Sequence, residues 1–474
     1  MVGIVAYGAY IPYNRLDRQH LKAAFGGSVP KGEKAIANYD EDSLTMGTAA
    51  ALDCCRYMDP KTIDAVYFAT TSSPYREKQA ATTVAGVLDA SKDIRTADFT
   101  DSLRAGSAAM LAGLDRARSG GRVMVVASDC RLGAAAGPYE NSFGDGAAAF
   151  LLGSENVIAE VLGEHSVSVD FHDLWRSEED KFVRSWEERF CITQGYNKFV
   201  AQAASGAMQK TGLSPQDFFK VVVYGVAPRH QIAIARKLGF QAAQIQDSLF
   251  DTVGNTGAAS APMMLAAALE EAAPGDKILF ISYGEGSDAI VFQVTEAINS
   301  LAPCRGIKGH LNNKKVTMNY EKYLRWRELI VTEPAKRPVQ KRSSLPDMFR
   351  NYKKNLGFYG CQCTACGTPQ FPPSRICIQC QAVDQMKDYR FYGKPARVAT
   401  FTVDYLAESL DPPTVVAVVD FEGGGRMFCY LVDCDPNAVE VGMEVEMSFR
   451  RLFVVDGIHT YFWKATPKVM LGEG

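Results

Sequence analysis

No apolar run in this chain of 474 residues approaches the length of a membrane-spanning helix, so nothing in it reads as a helical crossing. The opening residues MVGIVAYGAYIP carry no charged leader and read as a first strand, with no signal peptide. Charge of one sign is missing too. A net charge of -3 with 22% charged residues describes an ordinary soluble protein without an overall basic field for nucleic acid. A disulfide framework is also absent: of twelve cysteines, four cluster tightly and the rest are scattered singly or as the pair Cys54 and Cys55. That usage favours a reducing cytoplasm. What the chain does have is length, enough for two or three domains with sizeable cores.

Residues 97–120, ADFTDSLRAGSAAMLAGLDRARSG, run from a short polar loop into a helix of small residues. Gly106, Ser107, Ala108 and Ala109 permit close packing, and Met110, Leu111 and Leu114 recur at helical spacing, so the helix is read as buried. VMVVASD at 123–129 reads as a strand buried on both faces, and FGDGAAAFLLG at 143–153 as a glycine turn feeding another. ILFISYGEGSDAIVF at 278–292 echoes that strand, glycine turn and strand, as expected of two similar halves. This order resembles the nucleophile region of the thiolase superfamily, nearest to hydroxymethylglutaryl-CoA synthase and ketoacyl-ACP synthase III. The resemblance implies an α/β fold of two similar βαβ halves in an α/β/α/β/α layering. It also implies homodimerisation along a sheet edge.

In those families the loop before the helix delivers a cysteine to the helix N-terminus, where the macrodipole favours the thiolate. Laid on that pattern, Ser102-Leu103-Arg104-Ala105-Gly106-Ser107 puts Leu103 at the nucleophile position. Leucine carries no acyl group; Ser102 is one residue off. The loop TTSSPY at 70–75 puts Thr71 where the synthases have their general acid/base glutamate, with Glu77 a nearby solvated carboxylate. The family histidine falls on Tyr224, and His230 is the nearest imidazole, read as structural. Asn255 matches the Gly-Asn-Thr motif and would equally suit a helix cap; Tyr283 lies in the turn that borders the site. Trp175 and Arg176, in HDLWRSEED, resemble a segment near the acyl-CoA mouth and are candidates for contacting CoA, against the alternative of a packed indole and a surface guanidinium.

From 302 to 354 periodicity fades, and between Lys308 and Lys354 thirteen Lys or Arg face four Asp or Glu. This reads as a flexible, solvated linker; a basic rim for CoA phosphates is the sharper alternative. Then Cys363-x2-Cys366, ten residues, and Cys377-x2-Cys380 supply two knuckles, which suit structural zinc with no open position. Cys361 is a bystander, and a redox dithiol is the alternative. Short strands with turn signals follow and suggest a small β-barrel. The knot and VGMEVEMSFRRL resemble the zinc-ribbon plus OB-fold domain that accompanies thiolase-like proteins. The chain therefore divides into a thiolase-like domain at 1–300, a basic linker at 301–355, a zinc ribbon at 356–386 and an OB-fold domain at 387–474.

Some thiolase-like proteins with such a partner lack the cysteine chemistry and cleave β-hydroxyacyl-CoA thioesters by a retro-aldol reaction using tyrosines. The expectation is accordingly an acyl-CoA carbon–carbon lyase, or its aldol-forming reverse, with a coenzyme A thioester as substrate. Tyr224 would be the acid/base, Tyr283 a second proton donor, and Asn255 would hold the enolate. Acyl transfer through Ser102 or Cys130 and a non-catalytic CoA-binding subunit are the alternatives. Nucleic-acid binding through the barrel ranks last, since acidic residues such as Asp420, Glu422 and Asp433 interrupt its strands.

Overall fold

The computed structural model describes residues 1–333 and 343–469. Its two similar halves repeat one pattern of strands. In the first, Gly3–Tyr10 pairs antiparallel with Gly146–Gly153, which pairs antiparallel with Val123–Asp129, followed by the parallel strands Ala65–Ala69 and Arg95–Phe99. In the second, Ala159–Ser168 pairs antiparallel with Gly286–Val294, then antiparallel with Lys277–Tyr283, then parallel with Lys220–Val223. A short pairing of Gly3 and Ile4 with Glu160 and Ala159 joins the halves into one run of nine strands.

The inner strands, such as Val123–Asp129 and Gly146–Gly153, are fully buried because both faces are covered. Ser43–Cys54 packs on the outer face of the first half and Asn197–Thr211 on that of the second. Between the halves lie two central helices, Ala105–Arg118 and Ser260–Leu269, which gives five layers. The small residues expected in the first of them serve this contact. A Cβ on Gly106 would stand 2.5 Å from the carbonyl oxygen of Ala258, so only glycine allows the approach.

The segment expected to be a solvated linker is largely built into the fold. Residues Gly306–Asn312 and Tyr320–Trp326 are helices, and Lys315–Met318 is a strand added in parallel to Asn14–Asp17. Tyr320, Tyr323 and Trp326 are buried, and Arg327 forms a buried ion pair with Asp145. Elements this short leave no period to read, which is why the composition alone suggested a linker. The run AKRPVQKRS that carried most of that impression lies, apart from its last residue, outside the described residues.

Beyond it, Tyr359–Cys363 pairs with Pro369–Gln370 and Met386–Arg390 in a small ribbon. Five strands from Ala396–Asp404 to Ile458–Pro467 close into a barrel. Trp463, Phe449, Phe421, Phe391 and Phe358 fill the junction between ribbon and barrel.

The barrel docks on the first half through buried charge. Asp40, Glu41 and Asp42 lead into the helix Ser43–Cys54, and Asp42 caps it by accepting from the Thr45 amide. Arg450 of the barrel reaches Glu41 at 2.7 Å and Asp40 at 3.4 Å and also pairs with Asp433. Lys464 reaches Asp40 at 2.8 Å, and the Tyr461 hydroxyl donates to Asp42 at 2.8 Å. Burial alone would raise these carboxyls, yet Asp40 is held below its ordinary range by Lys464 and Arg450.

Removing one side of such a cluster leaves uncompensated charge in the interior. Arg450→Met, which strands Glu41 and Asp433 and leaves Asp40 to Lys464 alone, is expected to cost about 3–5 kcal/mol. Urea unfolding of the full chain checks this. Wild-type stability would mean that the ion cluster contributes nothing to docking.

Candidate functional site

The polar loop at 70–72 lies at the carboxyl end of the strand Ala65–Ala69, beside the end of Val123–Asp129. Asp129, fully buried, organises it. Its Oδ1 accepts from the Thr70 hydroxyl at 3.0 Å, the Thr71 amide at 2.7 Å and the Ser72 hydroxyl at 2.8 Å. Its Oδ2 accepts from the Thr71 hydroxyl at 2.9 Å and, across the interface between halves, the Ala258 amide at 2.8 Å. Thr71 thus spends both its donors on Asp129 and is a fixed part of the wall.

A pocket of ≈ 320 Å³ opens next to this loop. Thr71, Ser102 and Leu103 line one side; Arg131, Asp173, Trp175, Arg176, Gly284 and Glu285 complete it. Leu103 stands on the turn before the helix Ala105–Arg118, packed against the backbone of Gly284. Ser102 donates from Oγ to Glu285 and accepts from the Arg104 amide at 3.1 Å. Arg176 donates to the Thr71 carbonyl at 2.6 Å, which brings the two together at the mouth. Trp175, Trp186, Phe171 and Phe190 border a wider apolar opening outside.

The three polar residues expected to carry chemistry lie one side chain behind this surface. Tyr224, Asn255 and Tyr283 are all buried. The Asn255 side-chain amide donates to the Tyr224 hydroxyl at 3.1 Å, while its Oδ1 accepts from Arg131 at 3.0 Å and from the Gly257 amide at 3.0 Å. It is therefore both a local cap and a link from Tyr224 to Arg131, and Arg131 faces the pocket. Arg131 lies 4.0 Å over the Phe143 ring, and its buried Nε has no partner. Tyr283 donates to Asp173 at 2.6 Å, and Asp173 faces the pocket in turn.

Burial sets the protonation of these groups. It raises Tyr224, against the pull of Arg131 and Asn255, and raises Tyr283 further with the help of Asp173. Both phenols hold their protons. Burial also raises the carboxyls of Asp173 and Glu285 above the ordinary carboxylate range. Glu77 is exposed and lines no part of the pocket; His230 sits on an outer helix with its Nε2 3.0 Å from Glu188. The Cys130 thiol is pushed up to about 12 by burial, beside Arg327, and does not line the pocket. No described residue of 308–354 lines it either.

Arg131, Asp173 and Glu285 were missed as candidates. Asp173 lay within the HDLWRSEED run, and Glu285 between the glycines of YGEGS, where a carboxylate in a tight turn was the available signal.

Far from the pocket, the sulfur atoms of Cys363, Cys366, Cys377 and Cys380 lie within 4.8 Å of one another. Tetrahedral thiolate coordination of zinc places its sulfurs about 3.8 Å apart, so the set fits a closed metal site. Cys361 stands aside, accepting from the Ser374 amide at 3.3 Å.

Five layers with two central helices, a pocket at the strand ends between halves, and an appended ribbon and barrel define a thiolase-like fold. The solved structure of HMG-CoA synthase complexed with CoA matches with a TM-score of 0.62 at 20% identity, over 71% of this chain and 91% of that one. 3-Oxoacyl-[acyl-carrier-protein] synthase III from Aquifex aeolicus matches with a TM-score of 0.55 at 21% identity, over 62% of this chain and all of that one (100%). Residues 208–293 match the family model of the C-terminal part of 3-oxoacyl-[acyl-carrier-protein] synthase III. Residues 353–386 match the ChsH2 rubredoxin-like zinc ribbon domain, and 389–450 the ChsH2 C-terminal OB-fold domain. The hydroxymethylglutaryl-CoA synthase of Methanopyrus kandleri is 34% identical over 341 residues, 69% of this chain and 97% of the relative. That of Methanocaldococcus jannaschii is 33% identical over 344 residues, 70% of this chain and 99% of the relative. The chain belongs to the hydroxymethylglutaryl-CoA synthase family. Among the described residues no helix is long and apolar enough to cross a membrane.

The ribbon carries its own test. Purified protein is expected to hold one tetrahedral metal ion per chain, lost in Cys363→Ser together with about 5 °C or more of Tm. Elemental analysis and calorimetry check it. A metal-free, equally stable wild type would show that the four thiols stabilise the ribbon unaided.

Proposed function

We propose that this protein makes or breaks a carbon–carbon bond in a β-hydroxyacyl-CoA thioester by aldol chemistry, without an acyl-cysteine intermediate. The observation that carries the proposal is Leu103. It occupies the turn ahead of the first central helix and lines the pocket, and no cysteine stands among the residues lining that pocket. Retro-aldol cleavage needs no nucleophile. It needs a base for the β-hydroxyl, and positive charge or hydrogen-bond donors for the enolate that forms on the thioester oxygen.

The linked set Tyr224, Asn255 and Arg131 supports the second role. Arg131 brings a cation to the pocket, Asn255 holds its guanidinium, and Tyr224 supplies a proton held in place by burial. Tyr283 acts through Asp173 as the second protonated phenol. Thr71 and Leu103, at the positions of the family's acid/base and nucleophile, shape the wall. Trp175 and Arg176 at the mouth are placed to meet the CoA moiety. The protein would act as a homodimer in the cytoplasm, with zinc held by Cys363, Cys366, Cys377 and Cys380 in a structural role.

A second reading, acyl transfer through Ser102, draws on its hydrogen bond to Glu285. One experiment separates the two: incubation with a panel of β-hydroxyacyl-CoA and acyl-CoA thioesters, following carbonyl release and intact protein mass together. Aldehyde or ketone release with no mass adduct is expected, with kcat lowered roughly 10²–10³-fold in Tyr224→Phe. A stable adduct on Ser102 would overturn the lyase proposal. Silence in both channels would leave a CoA-binding subunit without turnover.

A further inference from the structure

Glu285 sits in a backbone conformation that its residue type disfavours. Its φ is +41°, in the left-handed region, between Gly284 and Gly286 with φ of +157° and +119°. The turn is held from both sides. The Glu285 carbonyl accepts from the Val169 amide at 3.1 Å, and a Cβ on Gly286 would fall 1.9 Å from the Val167 carbonyl oxygen. The turn therefore fixes the carboxylate at the pocket beside Leu103 and Gly284.

Only one of its oxygens is engaged. Oε2 accepts from the Ser102 hydroxyl, and Oε1 accepts no hydrogen bond from the described residues. Arg104, a cation that acts on Glu285, is committed elsewhere, to the Val167 carbonyl at 2.9 Å and to Asp288 at 3.4 Å. Asp173, by contrast, already accepts from Tyr283 and from the Leu174 amide. Of the two acidic groups raised by burial at this pocket, Glu285 has the freer oxygen.

We infer that Glu285, positioned by Ser102, is the base that takes the proton from the β-hydroxyl of the substrate, an assignment that rests on the aldol reading above. The O–H bond breaks with its proton passing to Oε1, the β-carbonyl forms, and the Cα–Cβ bond breaks with its electron pair entering the thioester enolate. Return of the proton from Oε1 to Cα completes the step and regenerates the carboxylate, so no other reactant enters. The charged groups around Glu285 are Arg104 and His172, which favour its ionised form, and Asp173, which opposes it; Asp101 and Asp170 also line the pocket.

The test follows kcat/KM against pH for carbonyl release. The wild type should lose activity as pH falls through the raised pKa of Glu285, because the protonated acid accepts no proton. Glu285→Gln should lower kcat roughly 10²–10⁴-fold and abolish this acid limb. Ser102→Ala removes a hydrogen bond that stabilises the carboxylate, so it should keep the limb but move it to higher pH. A fully active Glu285→Gln, or loss of the acid limb in Asp173→Asn while Glu285→Gln keeps it, would overturn the assignment. A wild type that releases no carbonyl from any thioester would instead overturn the aldol reading on which it stands. Circular dichroism of each variant separates loss of the base from loss of the fold.

Discussion

A single buried carboxylate, Asp129, holds the two halves in register where it matters. Five hydrogen bonds converge on it, four from residues 70–72 and one from the Ala258 amide at the start of the second half's central helix. A buried charge is tolerable when donors replace the water it has lost. The cost of failing that condition is what makes the loop rigid, since each donor withdrawn would leave the charge less compensated. Gly257 belongs to the same constraint. It has a φ of +60°, and a Cβ there would stand 2.2 Å from Asp129 Oδ2 and 2.7 Å from Arg131 Nε. Only a residue without a side chain lets the carboxylate and the guanidinium come so close.

The same electrostatic logic joins the barrel to the first half, with a different balance. Asp129 is satisfied mainly by neutral donors, whereas Asp40, Glu41 and Asp42 meet Arg450, Lys464 and Tyr461. A dry ion cluster gives little net stability over an apolar contact of the same shape, because desolvation offsets most of the attraction. What it contributes is geometry. An apolar interface tolerates sliding; a fork of charges that must be matched one by one does not. The barrel is thereby held to the helix Ser43–Cys54, whose far face covers the strands that carry Asp129.

How much of this the sequence made legible follows from how local each signal is. The cysteine knuckles, the buried strands and the small-residue helix are written in short stretches, and each appears where the spacing placed it. Leu103, Thr71, Trp175 and Arg176 also meet at one pocket, because their positions came from motifs that travel with the fold. Arg131, Asp173 and Glu285 were not legible. Their significance depends on contacts such as Ser102 with Glu285 and Arg131 with Asn255, far apart in the chain, and no local pattern encodes such a pairing. The helices at 306–326 escaped for the opposite reason. They are so short that the surrounding lysines and arginines dominated the reading, although Tyr320, Tyr323 and Trp326 are buried.

Burial explains why the polar groups around the pocket divide as they do. Removing water disfavours the charged form of every acid, and the consequence depends on where the ordinary pKa lies. For Tyr224 and Tyr283 the shift moves an already protonated phenol further from ionisation, so each keeps its proton. For Asp173 and Glu285 the same shift makes a weak base stronger, and neighbours limit the rise. Ser102 and Tyr283 are those neighbours. A leucine at 103 adds to the apolar surroundings of Glu285 in a way that a polar residue would not. On the aldol reading proposed above, Leu103 leaves this pocket without a nucleophile and Glu285 would supply its proton acceptor.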